Sequence, residues 1–219
     1  MNQRVRTAMA CLVFLAAAPL NGQDDRVHPY MQAVNDQFGM DEGFRMHMDY
    51  IREDIMRETS SEGEGTIWMK GIMYRIEVEE YIVYYDGEKL CSQNTDTEEV
   101  YISTPAPDDP GYLQAVPVTV IRSYQNNFKY QYMGIRPFMG RERAEIQLYT
   151  LERSGPYSML KLFLNPHTRH LEAFVLKHKE GINYTMVLSS VEGGQRLDDD
   201  FFRFDPAAYP ETEVIELLE

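Results

Sequence analysis

A pair of histidines is one candidate for chemistry in this 219-residue sequence. His167 and His170 have a spacing that can hold a metal ion, and His178 follows nearby. They lie in an Asn-Pro turn and have no matching cysteine or carboxylate cluster. A solvated turn is the favoured interpretation, and the sequence predicts neither a metal site nor a cofactor.

Acidic runs are the second candidate for chemistry. Glu79-Glu80 and Asp198-Asp199-Asp200 resemble acid–base pairs or a cation site, but charged runs at strand ends are usually solvated. The sequence has no G-x-S-x-G motif, no cysteine–histidine motif and no phosphate-binding loop. We therefore expect a protein that is not an enzyme.

The pattern of the N-terminal residues predicts an export signal. Arg4 and Arg6 precede an apolar run at 8–18, about half the roughly 20 residues that span a bilayer. Cleavage after Gly22 would divide the chain into a signal peptide, 1–22, and a single domain, 23–219, located in the periplasm. The domain keeps 19 basic and 35 acidic residues, because 1–22 contain two arginines and no acid.

This net charge of −16 excludes nucleic acid and anionic membrane surfaces as favoured partners. Cys91 would be the only cysteine left, so no disulfide could form within the chain. We expect Cys91 to be a small buried apolar residue in a core of ordinary size.

Strands are the elements that must position these side chains. Residues 65–90 contain three alternating, aromatic-rich runs and an Asp86-Gly87 turn. In one run Tyr74, Ile76 and Val78 alternate with charged residues, which predicts one apolar face. Further strands are predicted at 44–50 with a bulge near Ile51, and at 99–103, 128–133, 144–151, 158–165, 171–177, 183–189 and 213–217.

Two helices complete the pattern. Apolar spacing predicts an amphipathic helix over 27–38, and a second short helix is predicted within 113–124, near Pro117. Roughly eleven short strands with these helices predict a mainly β fold, with the sheet curled into an open or closed antiparallel barrel.

Four segments resemble one family, the periplasmic outer-membrane lipoprotein carriers called LolA, in the form found in Bacteroidota-like bacteria. They are, in order, GTIWMKGIMYRIE, the Asp-Gly hairpin YYDGEKL, EEVYIS and DDDFFRFDPAAYPETEVIEL. Each is weakly specific alone, but their succession from about Gln32 to Leu217 is more specific.

The resemblance implies an unclosed antiparallel barrel of about eleven strands, with two or three helices forming a lid over an apolar cavity. It implies a periplasmic chaperone that takes acylated lipoproteins from an inner-membrane lipoprotein-releasing ABC transporter to an outer-membrane acceptor, without a cofactor. We expect a monomer. The expected lining of the acyl-chain cavity is Phe44, Met46, Met48, Trp68, Tyr74, Ile76 and Val78 from the sheet, and Val118, Val120 and Ile121 from the lid.

One departure from the family concerns the lid. Enterobacterial members have Lys-Arg-Pro after the tryptophan block, and that arginine latches the lid, whereas this chain has Lys70-Gly71-Ile72. Arg75 is the nearest substitute. Two other functions stay open, namely a periplasmic domain of the same fold that senses lipid or lipoprotein, and a hydrolase on a barrel scaffold.

Overall fold

A single sheet of twelve strands organises the protein in the computed structural model, which describes residues 23–39, 43–105, 124–151 and 155–217. The first half contains β1 (Phe44–Asp54), β2 (Thr59–Lys70), β3 (Met73–Val78), β4 (Tyr81–Tyr85), β5 (Leu90–Asn94) and β6 (Glu99–Ser103). The second half contains β7 (Phe128–Phe138), β8 (Arg141–Thr150), β9 (Tyr157–Leu164), β10 (Leu171–His178), β11 (Ile182–Gly193) and β12 (Glu213–Glu216).

The strand order leaves the sheet unclosed. It runs β12-β6-β5-β4-β3-β2-β1-β11-β10-β9-β8-β7, so that β1 pairs with β11 and joins the two halves. Every pairing is antiparallel except that of β12 with β6. The predicted mainly β, unclosed antiparallel architecture is thus confirmed.

Most predicted strands are present, with differences at their ends. The strand predicted at 44–50 continues to Asp54, and the strand predicted at 128–133 continues to Phe138. β5 was not predicted, because its sequence LCSQN lacks alternation of apolar residues. The bulge expected near Ile51 was placed wrongly, since the register between β1 and β11 shifts at His47 and Met48.

The helix α1 (His28–Phe38) confirms the amphipathic pattern and follows a 3-10 turn, Asp25–Val27. Pro29 lies in its first turn, where a missing N–H costs nothing. Gly39 ends the helix with a φ of 52°, and its N–H donates to the carbonyl of Asn35. Met31, Val34 and Phe38 are buried on the same side of the helix. We call the face of the sheet that α1 covers the inner face.

The outer face is covered in part by residues 194–212, which we call the C-terminal strap. Lys70 anchors the start of the strap, because its ammonium group donates to the carbonyl of Leu197 at 2.7 Å. Further along, Arg203 pairs with Asp86 at 3.3 Å. The strap carries the chain from the end of β11 across the outer face to β12, which forms one edge of the sheet.

Two predicted segments lie outside the described residues: the signal peptide, 1–22, and most of the helix predicted within 113–124. Its last residue, Tyr124, is helical and packs edge-on against Tyr130 with ring centroids 5.1 Å apart. Within the described ranges, no helix has the length and apolar composition needed to cross a bilayer.

Candidate functional site

Apolar side chains continue from strand to strand across the inner face. The register aligns Met46 with Ile67, Ile67 with Ile76, and Ile76 with Val83. Because side chains of directly paired residues point to the same face of a sheet, these four residues form one row. A parallel row starts at Phe44 and continues through Met69, Tyr74, Tyr85 and Leu90.

One part of this inner face is sealed. On β8, β9 and β10 the inward side chains are 0–4% exposed, and they belong to the same cluster as the buried side chains of α1. We call these residues the covered half: Ile146, Leu148, Leu160, Leu162, Leu164, Phe174 and Leu176. They form an ordinary close-packed core.

Two contacts hold α1 over the covered half. The side-chain amide of Gln37 donates to the carbonyl of Leu171 at 3.1 Å and accepts from the N–H of Leu171 at 2.7 Å. At the other end of the helix, the ring of Tyr30 stacks on Tyr132 of β7 with centroids 5.4 Å apart. The helix is therefore tied to both β7 and β10.

The other part of the inner face is less covered. Ile76, Val78, Val83 and Leu90, on β3, β4 and β5, are half-buried and pack against the edge of the same cluster. We call these four residues the open half. They form an apolar surface that the described part of the chain covers only partly.

The predicted lining residues fall into three groups. Phe44, Met46, Met48 and Tyr74 are buried on the inner face. Ile76 and Val78 belong to the open half. The lid residues Val118, Val120 and Ile121 lie outside the described residues.

Trp68 is on the outer face, which corrects its assignment to the cavity lining. Its neighbours in β2, Ile67 and Met69, are 1–2% exposed on the inner face, so alternation directs Trp68 away from it. The C-terminal strap covers Trp68, with the ring of Phe201 edge-on at 5.6 Å. Arg75 also lies there, 4.9 Å from the ring of Phe201, so it does not face the inner surface as a substitute latch.

Sequence reasoning missed several inner residues. Val83 and Leu90 are half-buried in the open half, and Tyr184, Met186 and Leu188 line β11 on the same face. Alternation in INYTMVL carried the signal for the β11 residues, whereas YIVYY is apolar throughout and does not mark Val83 as inward. Leu90 had none, because β5 has no pattern of its own.

Two phenols, those of Tyr74 and Tyr85, lie on the inner face. Burial, and then the neighbouring Tyr85, raise the pKa of Tyr74 far above its ordinary value of 10.0. Burial also raises the pKa of Tyr85. Phenols are uncharged at physiological pH, and these shifts only extend the uncharged range to higher pH. This part of the face carries no charge and suits an apolar ligand.

The inner face becomes polar toward the β6 edge of the sheet. Ser92 pairs with Val83 on one side and with Tyr101 on the other, so all three share the inner face. Tyr101 is 38% exposed, and its hydroxyl donates to Glu99. The open half thus lies between an apolar core and a polar margin, which suits a ligand with an apolar and a polar end.

An acidic groove of about 600 Å³ is lined by Asp49, Glu64 and Glu77 of the outer face and by Glu79, which follows β3. His47 and Thr66 also line it, 2.8 Å apart between ring nitrogen and hydroxyl. A hydroxyl beside a histidine can act as a nucleophile when a third group orients the histidine. In the described part of the chain no carboxylate hydrogen-bonds to His47, so the arrangement lacks that third group.

The other histidines and acidic runs serve local structure. The Asn165 side chain accepts from the N–H groups of His167 and Thr168 in the β9–β10 turn, at the opposite end of β10 from His178. Asp199 and Asp200 pair with Lys70 and Arg203. Among the residues that the structure describes, no group of three or more potential ligands could hold a metal ion.

No protein-family model matches this chain, and no curated protein matches its sequence. Solved structures do match. The crystal structure of an uncharacterized conserved protein from Thermus thermophilus has a TM-score of 0.55 at 8% identity, over 88% of this chain and 99% of that chain. This likeness shows a shared fold.

Two other solved structures are similar to this chain at a lower score. A LolA superfamily protein from Nitrosomonas europaea has a TM-score of 0.45 at 10% identity, over 81% of this chain and 97% of that chain. A putative outer membrane lipoprotein-sorting protein domain from Vibrio parahaemolyticus has a TM-score of 0.44 at 7% identity, over 81% of this chain and 97% of that chain.

Proposed function

We propose that this protein binds the acyl chains of lipoproteins on the open half of its inner face and carries lipoproteins through the periplasm. The observation that supports this most directly is the half-buried surface of Ile76, Val78, Val83 and Leu90, which continues the fully buried core. Acyl chains are stabilised when they leave water and lie against an apolar surface of this kind.

Partial cover fits a carrier that has to release its load. Each acyl methylene that leaves water contributes about 0.8 kcal/mol, so a dozen give roughly 10 kcal/mol before the costs of binding. Complete burial of two or three chains would make release slow. A face that leaves part of each chain in water holds the ligand less tightly, and residues such as Met46 and Met48 adapt to its shape.

The role implies two partners. An inner-membrane ABC transporter that releases lipoproteins would supply the load, and an acceptor at the outer membrane would receive it. We propose that the protein acts as a monomer, without a cofactor and without catalysing a reaction.

The test uses residues 23–219, purified and mixed with inner-membrane spheroplasts that display a newly acylated lipoprotein. We expect lipoprotein to appear in the soluble fraction, bound to the protein in native mass spectrometry. The variant Ile76→Glu places a charge in the open half and should lose binding while the protein stays folded, as its circular dichroism spectrum would show.

Ile135→Glu is the matched control, because Ile135 lies on β7 and is 55% exposed. It adds the same charge away from the open half and should bind as the wild type does. Failure of the wild type to bind any acylated molecule, or equal binding by Ile76→Glu and Ile135→Glu, would contradict the proposal.

A further inference from the structure

Two glycines interrupt the inner face in the middle of β2. On one side of β2, Gly63 pairs with Tyr50 and Gly65 pairs with Met48, both of β1. On the other side, Gly65 pairs with Val78 of the open half. A glycine inside a strand contributes no side chain to packing and weakens the strand, and it often marks a close approach by another group. We call the space above Gly63 and Gly65 the glycine notch.

Neighbouring side chains reach into the notch. A methyl group added to Gly65 would lie 2.9 Å from Val78 Cγ2 and 3.1 Å from Met48 Cε. A methyl group added to Gly63 would lie 2.7 Å from the Tyr50 hydroxyl and 2.7 Å from Glu79 Oε1. The notch exists because β2 has no side chains at these two positions.

Three of the groups that reach into the notch, from Met48, Tyr50 and Glu79, are the ends of side chains that can rotate. Met48 has three rotatable bonds before its terminal methyl group. Tyr50 is half-buried, and its hydroxyl is hydrogen-bonded to Glu79. Rotation of Met48, Tyr50 and Glu79 would widen the notch without moving the backbone of the sheet, and Val78 would remain as its wall on the side of the open half.

We propose that the glycine notch sets the length of acyl chain that the open half accepts. The notch adjoins Val78, so a chain lying along the open half can extend into it once Met48, Tyr50 and Glu79 turn away. The hydrogen bond between Tyr50 and Glu79 opposes this movement and favours shorter chains. This inference rests on the function proposed above.

The test measures dissociation constants for synthetic diacyl lipopeptides whose chains are lauroyl, myristoyl, palmitoyl or stearoyl. Gly65→Ala and Gly63→Ala fill the notch and should weaken the stearoyl probe relative to the lauroyl probe, by about fourfold for each methylene excluded. Tyr50→Phe removes the hydroxyl that bonds to Glu79 and should shift the preference toward longer chains.

Gly193→Ala is the matched control, because this strand glycine has no heavy atom within 4 Å of an added methyl group. It should keep the wild-type length profile. If a glycine variant fails to fold, Tyr50→Phe still provides the test, since it preserves the ring.

An unchanged length profile in all folded notch variants would overturn this inference and leave the proposed function standing. A wild type that binds no acyl probe would overturn both.

Discussion

The covered and open halves of the inner face are built from the same residue types but differ in what lies over them. Leu162 and Phe174 in the covered half have no exposed surface, whereas Leu90 and Val83 in the open half are half-buried. α1 is tied to β7 and β10, the strands that carry and adjoin the covered half. One sheet thus supplies a rigid core and an available apolar surface side by side.

The largest expected effect compares one leucine in each half. Leu162→Ala should lower the free energy of unfolding by about 3 kcal/mol or more, because it leaves a cavity in close-packed surroundings. Leu90→Ala should cost about 1 kcal/mol, since its side chain already contacts water. Urea unfolding measures both, and equal losses would contradict the division into two halves.

A smaller effect is expected from releasing α1. Gln37→Ala removes both hydrogen bonds to the backbone of Leu171, each worth about 0.5–1.5 kcal/mol. The helix should loosen, and the amide of Leu171 should exchange with solvent faster in hydrogen-exchange measurements. Gln32→Ala, on the exposed side of α1, is the control and should leave that exchange rate unchanged.

The smallest effect concerns pH and the start of α1. The hydrogen bond from the Arg26 side chain lowers the pKa of Asp24 from 3.8 to about 2. An oxygen of the same carboxylate accepts from the N–H of Tyr132 on the β7 edge at 3.1 Å. Because the pKa is lower in the folded state, Asp24 stabilises the protein above pH 3.8, and this contribution is lost as the pH falls through about 2.

Thermal unfolding measured between about pH 5 and pH 2 checks this prediction. Asp24→Asn should remove a small part of the acid-induced loss of stability. The same acid dependence in both proteins would contradict the prediction, because it would show that Asp24 does not help to hold α1 over the covered half.

Much of the fold could be predicted from local pattern. Alternation located most of the strands with errors at their ends, and the spacing of Met31, Val34 and Phe38 located α1. β5 was missed because LCSQN has neither alternation nor a run of apolar residues. Its position is determined by pairing with β4 and β6, which are separated from it only by short turns.

The candidate site was less predictable, because alternation separates two faces without saying which is inside. Tyr74, Ile76 and Val78 were assigned to the inner face and lie there, whereas Trp68 lies on the outer face. An aromatic residue indicates burial, and Trp68 is indeed packed, but against Phe201 of the C-terminal strap. That contact joins residues more than a hundred positions apart, which no local pattern contains.

The amino-acid sequence by itself determined most of the strands, α1 and the alternation of Tyr74, Ile76 and Val78 along β3, because these depend on neighbours within a few residues. The tertiary structure alone decided that α1 seals one half of the inner face and leaves Ile76, Val78, Val83 and Leu90 partly exposed. It also decided that Gly63 and Gly65 lie beneath Tyr50 and Met48. Both outcomes depend on pairing and packing between distant segments.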